Sequence, residues 1–177
     1  MIDGGEVCGT EIEGALAAGC KFDTLALTWL PSACYDEFVT QSSSDQLREE
    51  SGLVKVDLNE FQFYADWNRT QPVTDLQFQQ ASLLNFGPAG VQTPFYTDTI
   101  YHKAHCQHVK ELQDSALQKA SEGTHDVWLW ERAAKWDHSL HCHKIMYHAT
   151  WNTPGIDTLA VYPGTSNCVL IRSSANL

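Results

Sequence analysis

Two short stretches of this chain carry residue types that do chemistry, and they carry them in one repeated order. Tyr101-His102-Lys103-Ala104-His105-Cys106 and Trp136-Asp137-His138-Ser139-Leu140-His141-Cys142 both contain His-x-x-His-Cys. On an α-helix, positions i, i+3 and i+4 share a face, so each stretch presents two imidazoles and one sulfur in the same direction. Neutral imidazole is a common ligand for copper, zinc, iron and nickel, and a pair at this spacing can reach one ion at about 2.0 Å. Two such helices facing each other would bring His102, His105, His138 and His141 to a shared metal. Without metal, four packed imidazoles would need other partners for every buried ring nitrogen. They would also repel one another once protonated near their ordinary pKa of about 6.5.

Eight histidines in 177 residues give some close pairs by accident. His108, His125, His143 and His148 read as ordinary surface or core residues on that ground, whereas the recurrence of one spacing with one trailing cysteine sets the four motif histidines apart. All-imidazole coordination suits copper or zinc, and the affinity order tilts the choice towards copper. Four histidines fit one ion; a two-ion site would recruit further ligands such as His108, His143 or His148. Asp137 reads as a solvated helix residue that could also support His138 from behind. Trp128, Trp130, Trp136 and Trp151 read as core and pocket wall.

Cys106 and Cys142 admit two readings. They form a disulfide that clamps the two helices, or they stay reduced as thiolate ligands; the disulfide is favoured because the other four cysteines look like staples of a secreted protein. Six cysteines permit 15 pairings, and order alone does not settle the links among Cys8, Cys20, Cys34 and Cys168. Asn68-Arg69-Thr70 is an N-glycosylation sequon. Together with the even cysteine count, it points to an oxidising lumen. The opening Met1-Ile2-Asp3-Gly4-Gly5 has neither a basic nor an apolar leader region, and no run is long enough to span a bilayer. The expectation is therefore a soluble chain from which an upstream signal or anchor has been removed.

The elements that must position these groups follow from local pattern. Asp98 to Lys119, capped by Thr97 or Asp98, and Asp126 to Ala149, ending at Asn152-Thr153-Pro154-Gly155, read as two helices. The short link Ser121-Glu122-Gly123-Thr124 makes them an antiparallel hairpin. Upstream, Thr10-Glu11-Ile12-Glu13 reads as a capping box before a short helix that stops at Gly19, with Cys8 and Cys20 placed to staple its ends. Phe22 to Leu30 reads as buried extended chain ending at Pro31. Ser42 to Glu50 reads as an exposed helix, and Leu53 to Leu58 with Phe61-Gln62-Phe63 alternates as strands do. Thr70 to Thr97, with prolines at 72, 88 and 94, reads as a long irregular connection.

At this length one core is expected, hence a single domain over 1–177: mainly α with minor β, built around the helix hairpin and stapled by disulfides. The formal charge of −11 repels a phosphate backbone, and the 11 Lys and Arg residues form no stripe, so nucleic acid is not an expected partner.

With those residues in view, the chain resembles the fungal UstYa-type family, named after ustiloxin biosynthesis proteins and marked by two His-x-x-His-Cys motifs. The resemblance extends to Cys8-Gly9-Thr10, to Ala17-Ala18-Gly19-Cys20-Lys21-Phe22-Asp23 and to Trp29-Leu30-Pro31-Ser32-Ala33-Cys34-Tyr35-Asp36. It covers most of the chain from Cys8 to Cys168, with little signal between Ser42 and Thr97. It implies a luminal domain, anchored in the full-length protein by one N-terminal transmembrane helix. It also implies copper-dependent oxidation in secondary metabolism, with one or two copper ions and dioxygen as co-substrate. The implied reactions are oxidative cyclisation of peptides, dehydrogenation, hydroxylation or chlorination of a peptide or small metabolite. His102, His105, His138 and His141 are the implied copper ligands, and a second copy or a related family member is an implied partner. The first motif has Lys103-Ala104 where a leucine is common, which bears on substrate subclass more than on metal binding. Two rival readings accompany this one: a binding subunit held by zinc or disulfides without redox chemistry, and a metal-free cyclase using histidines as acid and base.

Overall fold

The computed structural model describes residues 1–41, 61–84, 93–147 and 158–171. Among these, 48% are helical and 22% lie in strands, which broadens the expected mainly helical fold to a mixed α/β one. Ser42 to Glu50, Leu53 to Leu58, His148, Trp151 and the Asn152 to Gly155 stop lie outside the described residues.

The chain opens with α1 (Gly4–Cys8) and α2 (Ile12–Ala17). The Cys8–Cys20 disulfide staples the ends of the α2 region as expected, and Gly19, at φ 78°, turns the chain out of the helix. The expected capping box is not formed: Glu11 stands at the N-cap and its side chain makes no capping bond. Phe22 to Leu30 does not run straight either. It folds back as a hairpin of β1 (Lys21–Asp23) and β2 (Thr28–Leu30), with Leu27 at φ 56° in the turn. β2 also pairs in parallel with β8 (Gly164–Thr165).

The segment read as irregular contains regular structure. β3 (Phe63–Tyr64), β4 (Pro72–Val73), β5 (Phe95–Asp98) and β7 (Thr158–Val161) form a four-stranded sheet in the order β4-β3-β5-β7. Asp75–Leu84 is a helix, α3. Its start is a reciprocal cap: Thr74 Oγ1 accepts from Gln77 N at 3.3 Å, and Gln77 Oε1 accepts from Thr74 N at 3.0 Å. The Thr-x-x-Gln signal was present in the sequence. Asn68 is exposed beside this sheet, in a turn where Asp66 accepts from Thr70 N at 2.9 Å.

The two long helices are α4 (Thr99–Ser121) and α5 (Trp136–Tyr147). α4 starts where expected, with Asp98 Oδ1 accepting from Tyr101 N at 3.1 Å. It ends at Gly123, whose φ of 81° is favourable for glycine. The second helix is ten residues shorter at its start than expected: Val127–Trp130 is strand β6, paired antiparallel with β9 (Cys168–Ile171). Val-Trp-Leu-Trp is rich in β-favouring side chains, and the available partner strand outweighs the helical period. The helix pair is kept, but a strand and a turn join its members in place of a tight link. Gln113 Nε2 ties them, donating to Ala133 O at 2.6 Å and to Ser139 Oγ.

Cys34–Cys168 is the second disulfide, linking the 3-10 turn Ser32–Cys34 to β9 across a sequence separation of 134. The largest core cluster lies under α4, α5 and β6 and includes Val109, Leu112, Trp130, Cys142 and Ile145. Among the described residues no helix is long and apolar enough to cross a membrane.

Candidate metal centre

The face of α4 that carries His102 and His105 meets the face of α5 that carries His138 and His141. His105 Nε2 lies 3.3 Å from His138 Nε2, and His102 Nε2 lies 3.1 Å from His141 Nε2. The crossed order of the pairs, with the later residue of one helix meeting the earlier residue of the other, is that of antiparallel helices. All four motif histidines are thus brought together, as two apposed pairs; the rings of His102 and His105 have centroids 6.2 Å apart.

Hydrogen bonds behind the rings decide what the facing nitrogens carry. His105 Nδ1 is 2.6 Å from Leu25 O, and His138 Nδ1 is 3.0 Å from Arg132 O. A carbonyl only accepts, so each Nδ1 holds the hydrogen and each neutral ring turns a lone pair on Nε2 towards the other. Two lone pairs at this separation repel unless a positive charge stands between them. A metal ion satisfies them: two nitrogens at about 2.0 Å from one tetrahedral ion are about 3.3 Å apart. A proton shared between the rings is the metal-free alternative.

Protonation is unfavourable on one side and favoured on the other. Burial pulls the His105 pKa down to about 3, against the opposing pull of the Leu25 carbonyl, and burial with the neighbouring His141 and His138 charges pulls His102 down to about 4. His138 is shifted upward, first by its hydrogen bond with Cys142. Cys142 Sγ lies 4.0 Å from His138 Nε2. Its pKa falls to about 5, chiefly because the Cys106 thiol donates to it, with His138 adding to the effect against burial. Cys106 is pushed up by that same hydrogen bond and by burial, so it keeps its proton. The pair therefore offers one thiolate, Cys142, held by one thiol.

The disulfide favoured between Cys106 and Cys142 is accordingly not formed; both cysteines are free and buried, with the Cys142 sulfur turned towards His138. Among the described residues, His105, His138 and Cys142 form a group that could hold a metal, with all ligand atoms within 4.8 Å of one another. Two imidazoles and a thiolate are a donor set for copper or zinc.

The other described histidines stand apart from this group. His108 is fully buried and its Nε2 lies 2.8 Å from Asp23 Oδ2; His125 and His143 are exposed, His143 against Tyr147. Asp137 accepts from His138 N at 3.0 Å and so serves the main chain; the rings are oriented by the carbonyls of Leu25 and Arg132. Trp130, buried, stands edge-on to His105 and His138 with centroids at 6.1 and 5.8 Å. Trp128 is partly buried, and Trp136, at 78% exposed, is not core.

Leu25 can hold His105 because α4 clasps its loop at three points. Tyr101 Oη donates to Thr24 O at 2.7 Å and to Leu25 O at 2.9 Å. Asp23, paired to His108, accepts from Ala26 N at 2.9 Å. Tyr101, His105 and His108 are spaced i, i+4, i+7, the one sequence signal of this clasp; main-chain acceptors such as Leu25 and Arg132 leave none.

No family model, no curated protein and no solved structure matches this chain.

Proposed function

We propose that this chain is a copper-dependent oxidoreductase that uses dioxygen to oxidise C–H bonds of a peptide or small metabolite. The reading is supported most by one observation: the Nε2 atoms of His105 and His138 face each other at 3.3 Å with both Nδ1 atoms committed to carbonyls and a thiol group alongside. His105, His138 and Cys142 would hold one ion, and His102 and His141 would hold a second or complete the first. Bound copper would supply one-electron redox chemistry towards dioxygen. The chain's own residues hold the ligands in place: Leu25 O and Arg132 O fix both tautomers, and Trp130 packs edge-on against the His105 and His138 rings.

The resemblance to UstYa-type proteins supports oxidative cyclisation, dehydrogenation, hydroxylation or halogenation as the reaction. The two disulfides suit an oxidising compartment. A secretory lumen, with a membrane anchor on the full-length protein and glycosylation at Asn68, fits that setting. A second reading, a non-redox zinc-binding subunit, is favoured by the thiolate in the donor set. Loading with copper or zinc followed by elemental analysis and oxygen uptake separates the two. The oxidoreductase takes up oxygen with copper and substrate and loses this in His105→Ala. A chain that keeps zinc in preference to copper and consumes no oxygen is the binding subunit. A metal-free cyclase would keep its activity in a strong chelator.

A further inference from the structure

A cavity of about 210 Å³ is lined by Trp130 and Arg132, two residues that also contact the His105–His138 pair. Arg132, Lys135, Thr165, Ser166 and Trp130 are among the residues that line it. The cavity is joined to the metal centre through its own walls. The Arg132 main chain accepts from His138, Trp130 packs against both rings, and Ala26 and Leu27 follow the Leu25 carbonyl that holds His105.

Its chemistry is that of an anion receptor. The chain carries 22 acidic and 11 basic residues, yet this cavity gathers a guanidinium and an ammonium. Its acidic lining residue, Glu131, is bound to Lys135 at 2.9 Å. One guanidinium plus one ammonium less one carboxylate leaves a single positive charge. Ser166, 8% exposed, accepts from Trp130 Nε1 at 2.7 Å, which leaves its own hydrogen to donate. A bound acceptor would take that hydrogen.

We infer that this cavity binds a carboxylate, gripped by the Arg132 fork and the Ser166 hydroxyl, with Lys135 adding charge. A planar monoanion matches both the guanidinium geometry and the single net charge better than a phosphate does. As a statement about the substrate of the proposed oxidoreductase, that its carboxylate docks here and its body lies along Trp130, the inference rests on that reading. As a carboxylate site it does not.

The test is calorimetric titration of the full chain, with and without added copper, using N-acetyl-tyrosine, its C-terminal amide and inorganic phosphate. The acid should bind at least ten-fold more tightly than the amide whether or not copper is present, so failure here is distinguishable from failure of the copper reading. Arg132→Gln should remove the preference for acid over amide; only the main chain of Arg132 holds His138, so this variant keeps that contact. Equal binding of acid and amide, no binding of either, an acid preference that survives in Arg132→Gln, or tighter binding of phosphate would each overturn the inference.

Discussion

His105 and His138 are oriented by opposite parts of the chain yet end with their Nε2 atoms 3.3 Å apart. One ring is held from behind by Leu25 O in the β1–β2 turn, the other by Arg132 O in the turn before α5. Two anchored rings that present lone pairs to each other make a place prepared for a cation, and the consequences are specific.

Removing either ring should cost metal. His105→Ala or His138→Ala should lower copper or zinc affinity by at least a hundred-fold, and His125→Ala, at an exposed position, should leave it unchanged. Competition with a chromophoric chelator measures this.

The outer support should matter by less. Tyr101→Phe deletes the hydroxyl that clamps Thr24 O and Leu25 O, so stability should fall by about 1 kcal/mol and metal affinity by about ten-fold. Urea denaturation with and without metal separates the two effects; a variant that loses stability but binds metal as before would mean that the clasp only supports the fold.

How much of this was legible in the sequence depends on the range over which each signal acts. The histidine pairs, the start of α4 at Asp98 and the Cys8–Cys20 staple follow from residues a turn or two apart, and each could be read locally. Strand β6 could not, because Val127–Trp130 is decided by its pairing with Cys168–Ile171. Helix α3 was legible in Thr74 and Gln77 but was obscured by the flanking prolines. Leu25 O and Arg132 O carry no side-chain signal at all. For Cys106 and Cys142 the chemistry of the trailing cysteine was visible, while the pairing of one free sulfur with the other turns on the packing of α4 on α5, which alone brings Cys106 to Cys142.

The buried Asp23–His108 pair gives the clasp a pH signature. Burial raises the Asp23 pKa, but the His108 charge and hydrogen bond together with Ala26 and Leu25 outweigh it, so the net shift is downward. That contribution is present above about pH 3.9 and is lost as pH falls through the lowered value. Burial opposes protonation of His108, but Asp23 outweighs it and the net shift is upward; this contribution is full below about pH 6.5 and is lost as pH rises through the raised value. The stability gap between wild type and Asp23→Asn/His108→Gln should therefore be widest between about pH 4 and 6.5 and narrow on either side. His105 and His102 act in the other sense. With folded values of about 3 and about 4, they resist protonation that the unfolded chain accepts below about pH 6.5, so they destabilise the metal-free fold progressively as pH falls. Thermal melts from pH 3 to 9 on both proteins check the two slopes.

The long staple should be worth more than the short one. Cys34–Cys168 closes a separation of 134 residues against 12 for Cys8–Cys20. Replacing the longer pair with alanine should cost about 3–5 kcal/mol and the shorter about 2–3 kcal/mol, since chain entropy released on unfolding grows with loop length. Denaturation midpoints of the two double variants give the comparison.

The most direct test of the central claim is X-ray absorption at the copper edge of the copper-loaded chain. The account predicts imidazole nitrogens at about 2.0 Å and one sulfur at about 2.3 Å, with the sulfur lost in Cys142→Ser and the nitrogen count reduced in His105→Ala. Copper that is not retained, or that is bound without imidazole and sulfur neighbours in the wild-type chain, would contradict it.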